Sequence, residues 1–248
     1  MRLKGKAAIV TGGASGFGAG IVRRFIQEGA RVVIADINGE AAIEMAAGLG
    51  EAALGLGVDV SSADDVAMMT AAAIDFMGNI DTLVNNAGVG HSPEPLDSLS
   101  EEAFDRLFAV NIKSIYHTAQ QVVPIMKKGG SGSILNMGST GGVSPRPNLT
   151  WYNASKGWVI TATRSMAIEL AGTGIRVNTL NPVAGDTPLL KTFMGEDTPE
   201  IRAKFLASIP IGRFSTPEDM GAAACFLCSD DASMITGVAL EVDGGRCI

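Results

Sequence analysis

The chain has 248 residues, 46% hydrophobic and 18% charged, with 31 glycines and few aromatics, a composition that suits a compact α/β protein and excludes a disordered one. Nineteen basic against 26 acidic residues leave a net charge of −7. With no basic run longer than Lys127-Lys128, that balance excludes nucleic acid and an anionic membrane surface as partners.

The basic opening Met1 to Lys6 is followed by an apolar run, Ala7 to Val10, that is too short for a signal-peptide core. No run of 18 apolar residues follows, so a cytoplasmic protein is expected. Three cysteines do not make a disulfide framework. Cys225 and Cys228 form a C-x-x-C inside a helical apolar run and read as core. With only His91 and His117 beside them, no usual zinc ligand set can be assembled, and no metal is expected.

In chain order, short apolar runs alternate with amphipathic stretches. Strands are predicted at Ala7 to Thr11, Arg31 to Asp36, Ala53 to Val58, Ile80 to Asn85, Ser133 to Met137, Ile175 to Leu180 and Val238 to Val242. Helices are predicted near 16 to 29, 40 to 48, 62 to 77, 101 to 127 with a break, 152 to 171 and 217 to 229. This is the pattern of a Rossmann-type α/β fold, a doubly wound seven-stranded parallel sheet with helices on both faces. Two segments interrupt the rhythm. Gly138 to Thr150 is short and leads into a helix; Asp186 to Phe214 is longer, apolar in places and without a strand pattern, and reads as a lid over a site. One domain, 1 to 248, is therefore expected, with the lid at about 186 to 214.

Directly after the first strand comes Thr11-Gly12-Gly13-Ala14-Ser15-Gly16-Phe17-Gly18, opening a helix. Glycines there admit a pyrophosphate to backbone N–H groups, and the helix start favours an anion. No Gly-Lys-Ser/Thr follows, which excludes a P-loop. The second strand ends in Asp36, about 20 residues on, where a dinucleotide-binding unit keeps an acid for the ribose 2′-hydroxyl. That acid repels a 2′-phosphate, and Ile37-Asn38 offers no cation to receive one. NAD is expected in preference to NADP. Farther on, Tyr152 and Lys156 stand one helical turn apart, separated by small residues.

Taken together, Thr11-Gly12-x3-Gly16-x-Gly18, Asp59-Val60, Asn85-Asn86-Ala87-Gly88, Asn111, Ser139, Tyr152-x3-Lys156, Asn181-Pro182 and Val242-Asp243-Gly244-Gly245 resemble the short-chain dehydrogenase/reductases over essentially the whole chain. The resemblance implies Tyr152 as general acid/base and Lys156 as the cation that favours its phenolate and binds the nicotinamide ribose. It also implies Ser139 as the hydrogen-bonding partner of the substrate oxygen and Asn111 as the holder of a water on a proton path from Lys156. Cofactor contacts are implied at Gly12, Ser15, Gly16, Phe17, Gly18, Asp36, Ile37, Asp59, Val60, Asn86, Ala87, Gly88, Tyr152, Lys156, Pro182, Val183, Gly185 and Thr187. Two positions depart from the family pattern, both at the floor of the implied nicotinamide pocket: Val183 stands where a glycine is usual and Gly185 where a branched apolar residue is usual.

The expected function is NAD(H)-dependent interconversion of a secondary alcohol and a ketone. The substrate pocket is expected between His91 to Pro95, Gly141 to Trp151 and Pro188 to Phe214. Alternatives are a 3-oxoacyl-[acyl-carrier-protein] reductase, a sugar dehydrogenase and, in another class, a non-catalytic dinucleotide sensor or scaffold. The family also implies a homotetramer built through the long helices and the last strand.

Overall fold

In the computed structural model, which describes residues 1–248, each predicted strand forms within two residues of its expected ends. The strands are β1 (Ala7–Thr11), β2 (Arg31–Asp36), β3 (Ala53–Gly57), β4 (Thr82–Asn85), β5 (Gly132–Met137), β6 (Ile175–Pro182) and β7 (Ala239–Val242). They make one parallel sheet of order β3-β2-β1-β4-β5-β6-β7. The winding starts at β1, proceeds outward to β3 and then returns past β1 to β4. The carboxyl ends of β1 and β4 therefore diverge around a crevice, the place where open α/β sheets bind ligands.

Helices α1 (Gly16–Gln27), α2 (Gly39–Leu49), α3 (Ala63–Met77), α4 (Glu101–Phe108), α5 (Ser114–Gly129), α6 (Thr150–Leu170), α7 (Pro188–Met194), α8 (Pro199–Ala207) and α9 (Pro217–Cys228) complete the chain. Successive strand residues point to opposite faces, and the core splits accordingly. Ala8, Val10, Val32 and Ile34 pack with Phe25 of α1, Ala42 of α2 and Ala224 of α9. Ile9, Val33 and Ala35 pack with Met69 of α3, Met126 of α5 and Leu170 of α6. Cys225 and Cys228 belong to the first of these clusters; burial pushes the Cys228 thiol up to about 12, so it stays protonated and inert.

The expected helix break lies at 109–113, where five residues of π-type helix join α4 to α5. The segment 186–214 carries two helices, α7 and α8. Both start on a Thr-Pro pair, as α9 does. Its base is pinned by Ser215, whose N–H donates to Ala184 O and whose carbonyl accepts from Asp186 N at 3.0 Å. No helix is long and apolar enough to cross a membrane.

Candidate active site

Gly12 (φ 59°) and Gly16 (φ 49°) adopt left-handed backbone in the turn that carries β1 into α1, a conformation glycine reaches without a Cβ penalty. A Cβ on Gly12 would stand 2.9 Å from Ala87 Cα, and one on Gly16 would stand 3.2 Å from Thr187 Cβ. The turn is thus closed on by the loops after β4 and β6. Thr11 Oγ1 accepts from the N–H groups of Asn86 and Ala87 at 3.1 Å, and Asn86 Nδ2 donates to the carbonyls of Thr11 and Gly12 at 2.9 Å. These bonds stitch β1 to β4 across the crevice. Ser15 caps α1 without a side-chain bond, and no acid occupies the first turn, so the positive helix start stays uncompensated.

At the end of β2, Asp36 accepts from Ala14 N and Asn38 N, each at 3.0 Å. One carboxylate therefore fixes the glycine turn and faces the cleft. Asp59 accepts from the backbone N–H and hydroxyl of Ser61 at 2.9 and 2.7 Å.

Tyr152 and Lys156 are buried on α6, 7% and 6% exposed. Lys156 Nζ lies 5.9 Å from the Tyr152 ring centroid and donates to Met137 O at 2.9 Å. Burial raises the Tyr152 phenol above its ordinary value; the Ser139 hydroxyl and then the Arg146 charge act against that rise. Burial pulls the Lys156 ammonium down to about 8. Ser139 ends the strand loop after β5, and its hydroxyl accepts from Gly141 N at 3.0 Å. The Phe193 ring of α7 lies 4.8 Å from the Tyr152 ring. Asn111 sits inside the π-type turn, where its Nδ2 donates to Val89 O and Ser155 Oγ and its Oδ1 accepts from Val89 N. A Cβ on Gly88 would come within 3.4 Å of both Asn111 Oδ1 and Lys156 Nζ, so these two polar atoms face a single gap kept open by a glycine.

Asp36, Asp59, Ser139, Tyr152, Lys156 and Phe193 border one cleft of about 980 Å³ that runs from Asp36 to Phe205. It takes in every expected site residue except Gly18, Ala87 and Asn111, which stand one layer behind its wall. Gly18 is placed there by packing, since a Cβ on it would strike the Gly12 carbonyl. The substrate end differs from the expected walls. His91 borders it but Ser92 to Pro95 do not, and Trp151 turns away to donate to Leu96 O at 3.0 Å. In their place stand Ala103, Arg106 and Leu107 of α4 and Val110 of the π-type turn that follows it. Their i, i+3, i+4, i+7 spacing was the available signal for that face. The irregular positions after β6 also have an account: a Cβ on Gly185 would collide with the Phe17 ring, so Phe17 fills the space a larger residue at 185 would take.

The family model described as enoyl-(acyl carrier protein) reductase matches residues 12–246. A relative from Comamonas testosteroni, 4-formylbenzenesulfonate dehydrogenase, is 49% identical over 100% of both chains. The 3-oxoacyl-[acyl-carrier-protein] reductase of Thermotoga maritima is 39% identical, again over 100% of both. A crystal structure of a Brucella melitensis 3-ketoacyl-(acyl-carrier-protein) reductase complexed with NADH superposes with a TM-score of 0.95 at 49% identity, covering 99% of this chain and 100% of that one. The chain belongs to the short-chain dehydrogenase/reductase family. It is an oxidoreductase acting on CH–OH groups and the corresponding carbonyls.

Proposed function

We propose that the chain interconverts a secondary alcohol and a ketone with NAD(H), with Tyr152 as general acid/base. The observation that carries this reading is the buried phenol of Tyr152, with the Ser139 hydroxyl beside it and Lys156 one turn away, at the inner end of a glycine-lined cleft over the switch point of the sheet. The residues present fit a dinucleotide. The uncompensated start of α1 suits its pyrophosphate, Asp36 its adenosine ribose, and the close contacts at Gly12 and Gly16 leave room only for backbone. When bound, the nicotinamide supplies the acceptor or donor of hydride at the substrate carbon.

In the oxidative direction the alcohol would give up a hydride from carbon, for which the bound nicotinamide would be the acceptor, and a proton from oxygen, for which Tyr152 would be the base. Ser139 donates to the substrate oxygen and Tyr152 takes the hydroxyl proton; in reduction Tyr152 returns it. Lys156 would hold the ribose and would supply the charge that favours phenolate. Asn111 and Lys156 face the gap beside Gly88, where a water between them would pass the proton outward. Tyr152→Phe tests the assignment: kcat falls about 10²- to 10⁴-fold while NADH still binds, read by its fluorescence. Retained turnover would refute it.

NAD is favoured over NADP because the Asp36 carboxylate, anchored on the glycine turn, would face the adenosine ribose, and neither that turn nor Ile37-Asn38 carries a cation. A 3-oxoacyl-[acyl-carrier-protein] reductase is the second reading, prompted by the printed names of two relatives. Cofactor choice does not separate the two, because one such neighbour was solved with NADH; a 3-oxoacyl thioester assay does. The segment 186–214 is proposed as a lid, since Leu189, Leu190, Phe193 and Phe205 border the cleft from it. A cytoplasmic homotetramer completes the reading, supported by the exposed Phe104, Phe108, Tyr116, Trp158 and Ile168 along α4 to α6. Light scattering in solution would then give four times the 25.6 kDa chain mass.

A further inference from the structure

Resting on the oxidoreductase reading above, we propose that the substrate carries a carboxylate or sulfonate and that Arg146 is the residue that holds it. Arg146 stands on the loop between β5 and α6, in the cleft wall, its guanidinium 4.5 Å from the centroid of the Phe205 ring. Arg146 enters none of the protein's salt bridges. Its backbone carbonyl accepts from Asn153 Nδ2 at 2.8 Å, but its five N–H donors find no partner in the protein. In a chain with seven more acids than bases, an unpaired, half-buried arginine is out of keeping with its surroundings.

The neighbourhood deepens the mismatch. Arg246 approaches the same loop, with Nη1 3.4 Å from Ser144 Oγ and Nε buried without a partner. Burial first, and then the like charge of Arg246, depress the Arg146 guanidinium, and no carboxylate acts in the other direction. Arginine stays charged regardless. A carboxylate or sulfonate would offer it two oxygens for a pair of parallel hydrogen bonds.

This cation is at the substrate end. The dinucleotide end is marked by Asp36, Asp59 and the turn Gly12 to Phe17, whereas Arg146 is close enough to Tyr152 for its charge to bear on the phenol. Leu107, Leu149 and Phe193 pack with Tyr152 and line the same cleft as Arg146. The cleft therefore suits an occupant with a carbonyl or carbinol at Tyr152, an apolar middle and an anionic end at Arg146. The loop is held to present it: Glu94 N donates to Asn148 O at 2.9 Å, and Asn148 takes the left-handed φ of 63° that asparagine tolerates.

The test compares 4-acetylbenzoate and 4-acetylbenzenesulfonate with their neutral isostere 4-methylacetophenone, following NADH oxidation by the wild type, Arg146→Met and Arg146→Lys. Calorimetric titration of the protein–NADH complex with benzoate and with benzamide reads binding independently of turnover. The wild type should favour both anions, and Arg146→Met should lower the ratio of their kcat/KM to that of the neutral ketone about 30-fold or more, chiefly through KM; a change common to all three ketones reports the loss of the Arg146 charge near Tyr152. Benzoate binding should weaken in parallel, and Arg146→Lys should recover part of it.

Equal losses for charged and neutral ketones would make Arg146 a group acting only through Tyr152 and overturn the proposal. So would wild-type binding of benzamide as tight as that of benzoate. The oxidoreductase reading fails separately: no ketone would consume NADH although benzoate still bound through Arg146, and that outcome would leave the anion site standing.

Discussion

Burial sets both central groups of α6 against their charged forms: the phenol of Tyr152 is driven up and the ammonium of Lys156 down to about 8. For Lys156 this has a stability consequence of known sign. Below about 8 both folded and unfolded chains hold the proton, and the folded chain bears the full cost of a buried ammonium, about 3 kcal/mol from the depression below 10.5. Between 8 and 10.5 only the unfolded chain keeps the proton, so stability attributable to this residue rises with pH. Lys156→Met should accordingly gain about 1–3 kcal/mol at pH 7 even after Met137 O loses its donor, with the difference from wild type vanishing near pH 10.5. Urea unfolding across that range checks it, and a variant less stable than wild type at pH 7 would contradict it.

The exchange of sizes at Phe17 and Gly185 gives a second residue-level prediction. Gly185→Val should push the Phe17 ring into the cleft and weaken NADH binding about tenfold, and Phe17→Ile in the same chain should restore it by removing the overlap. Tyr152 and Lys156 were legible in the sequence because a helix fixes what four residues of separation mean. The Phe17–Gly185 pairing was not, because its members are 168 positions apart and meet only through the packing of the loop after β6 on the start of α1. Arg146 was hidden for a related reason: an arginine in a loop acquires meaning only when no acid is found beside it.

Among the elements, α1 and α9 pack so closely that glycine is required on both, Gly20 against the Pro217 carbonyl and Gly221 against the Gly20 carbonyl. Gly20→Ala should destabilise the fold by about 2 kcal/mol or more, since backbone cannot yield as a side chain can; a Tm unchanged by the substitution would show that the contact is looser than described. The start of α9 is a reciprocal cap in which Thr216 Oγ1 accepts from Asp219 N and Asp219 accepts from Thr216 N, so Thr216→Ala should cost about 1 kcal/mol.

The strands were legible because parallel strands covered on both faces read as unbroken apolar runs, as in Ala7–Thr11 and Arg31–Asp36. Helices α7 and α8 were not, although Thr187-Pro188 and Thr198-Pro199 announce them as clearly as Thr216-Pro217 announces α9. They are seven and nine residues long and bury little, too short for a periodic pattern to stand out. The break at 109–113 was legible as a break; its π-type geometry depends on the three bonds of Asn111 to Val89 and Ser155, which no local pattern encodes.

For the molecule as a whole, the winding of the sheet places the ends of β1, β4 and β5 around one crevice, and the account stands on what Tyr152 does there. The chain has two tyrosines, of which Tyr116 is exposed and outside the cleft. In a Tyr116→Phe background, phenolate absorbance therefore reports Tyr152 alone. Its pH titration, with and without NAD, is the most direct measurement. Without the dinucleotide the phenol should titrate above 10, because burial outweighs the Ser139 and Arg146 contributions. With oxidised NAD bound it should fall toward neutrality, because a second positive charge joins Lys156 beside it. A Tyr152 that titrates at the same pH in both conditions would contradict the proposed chemistry.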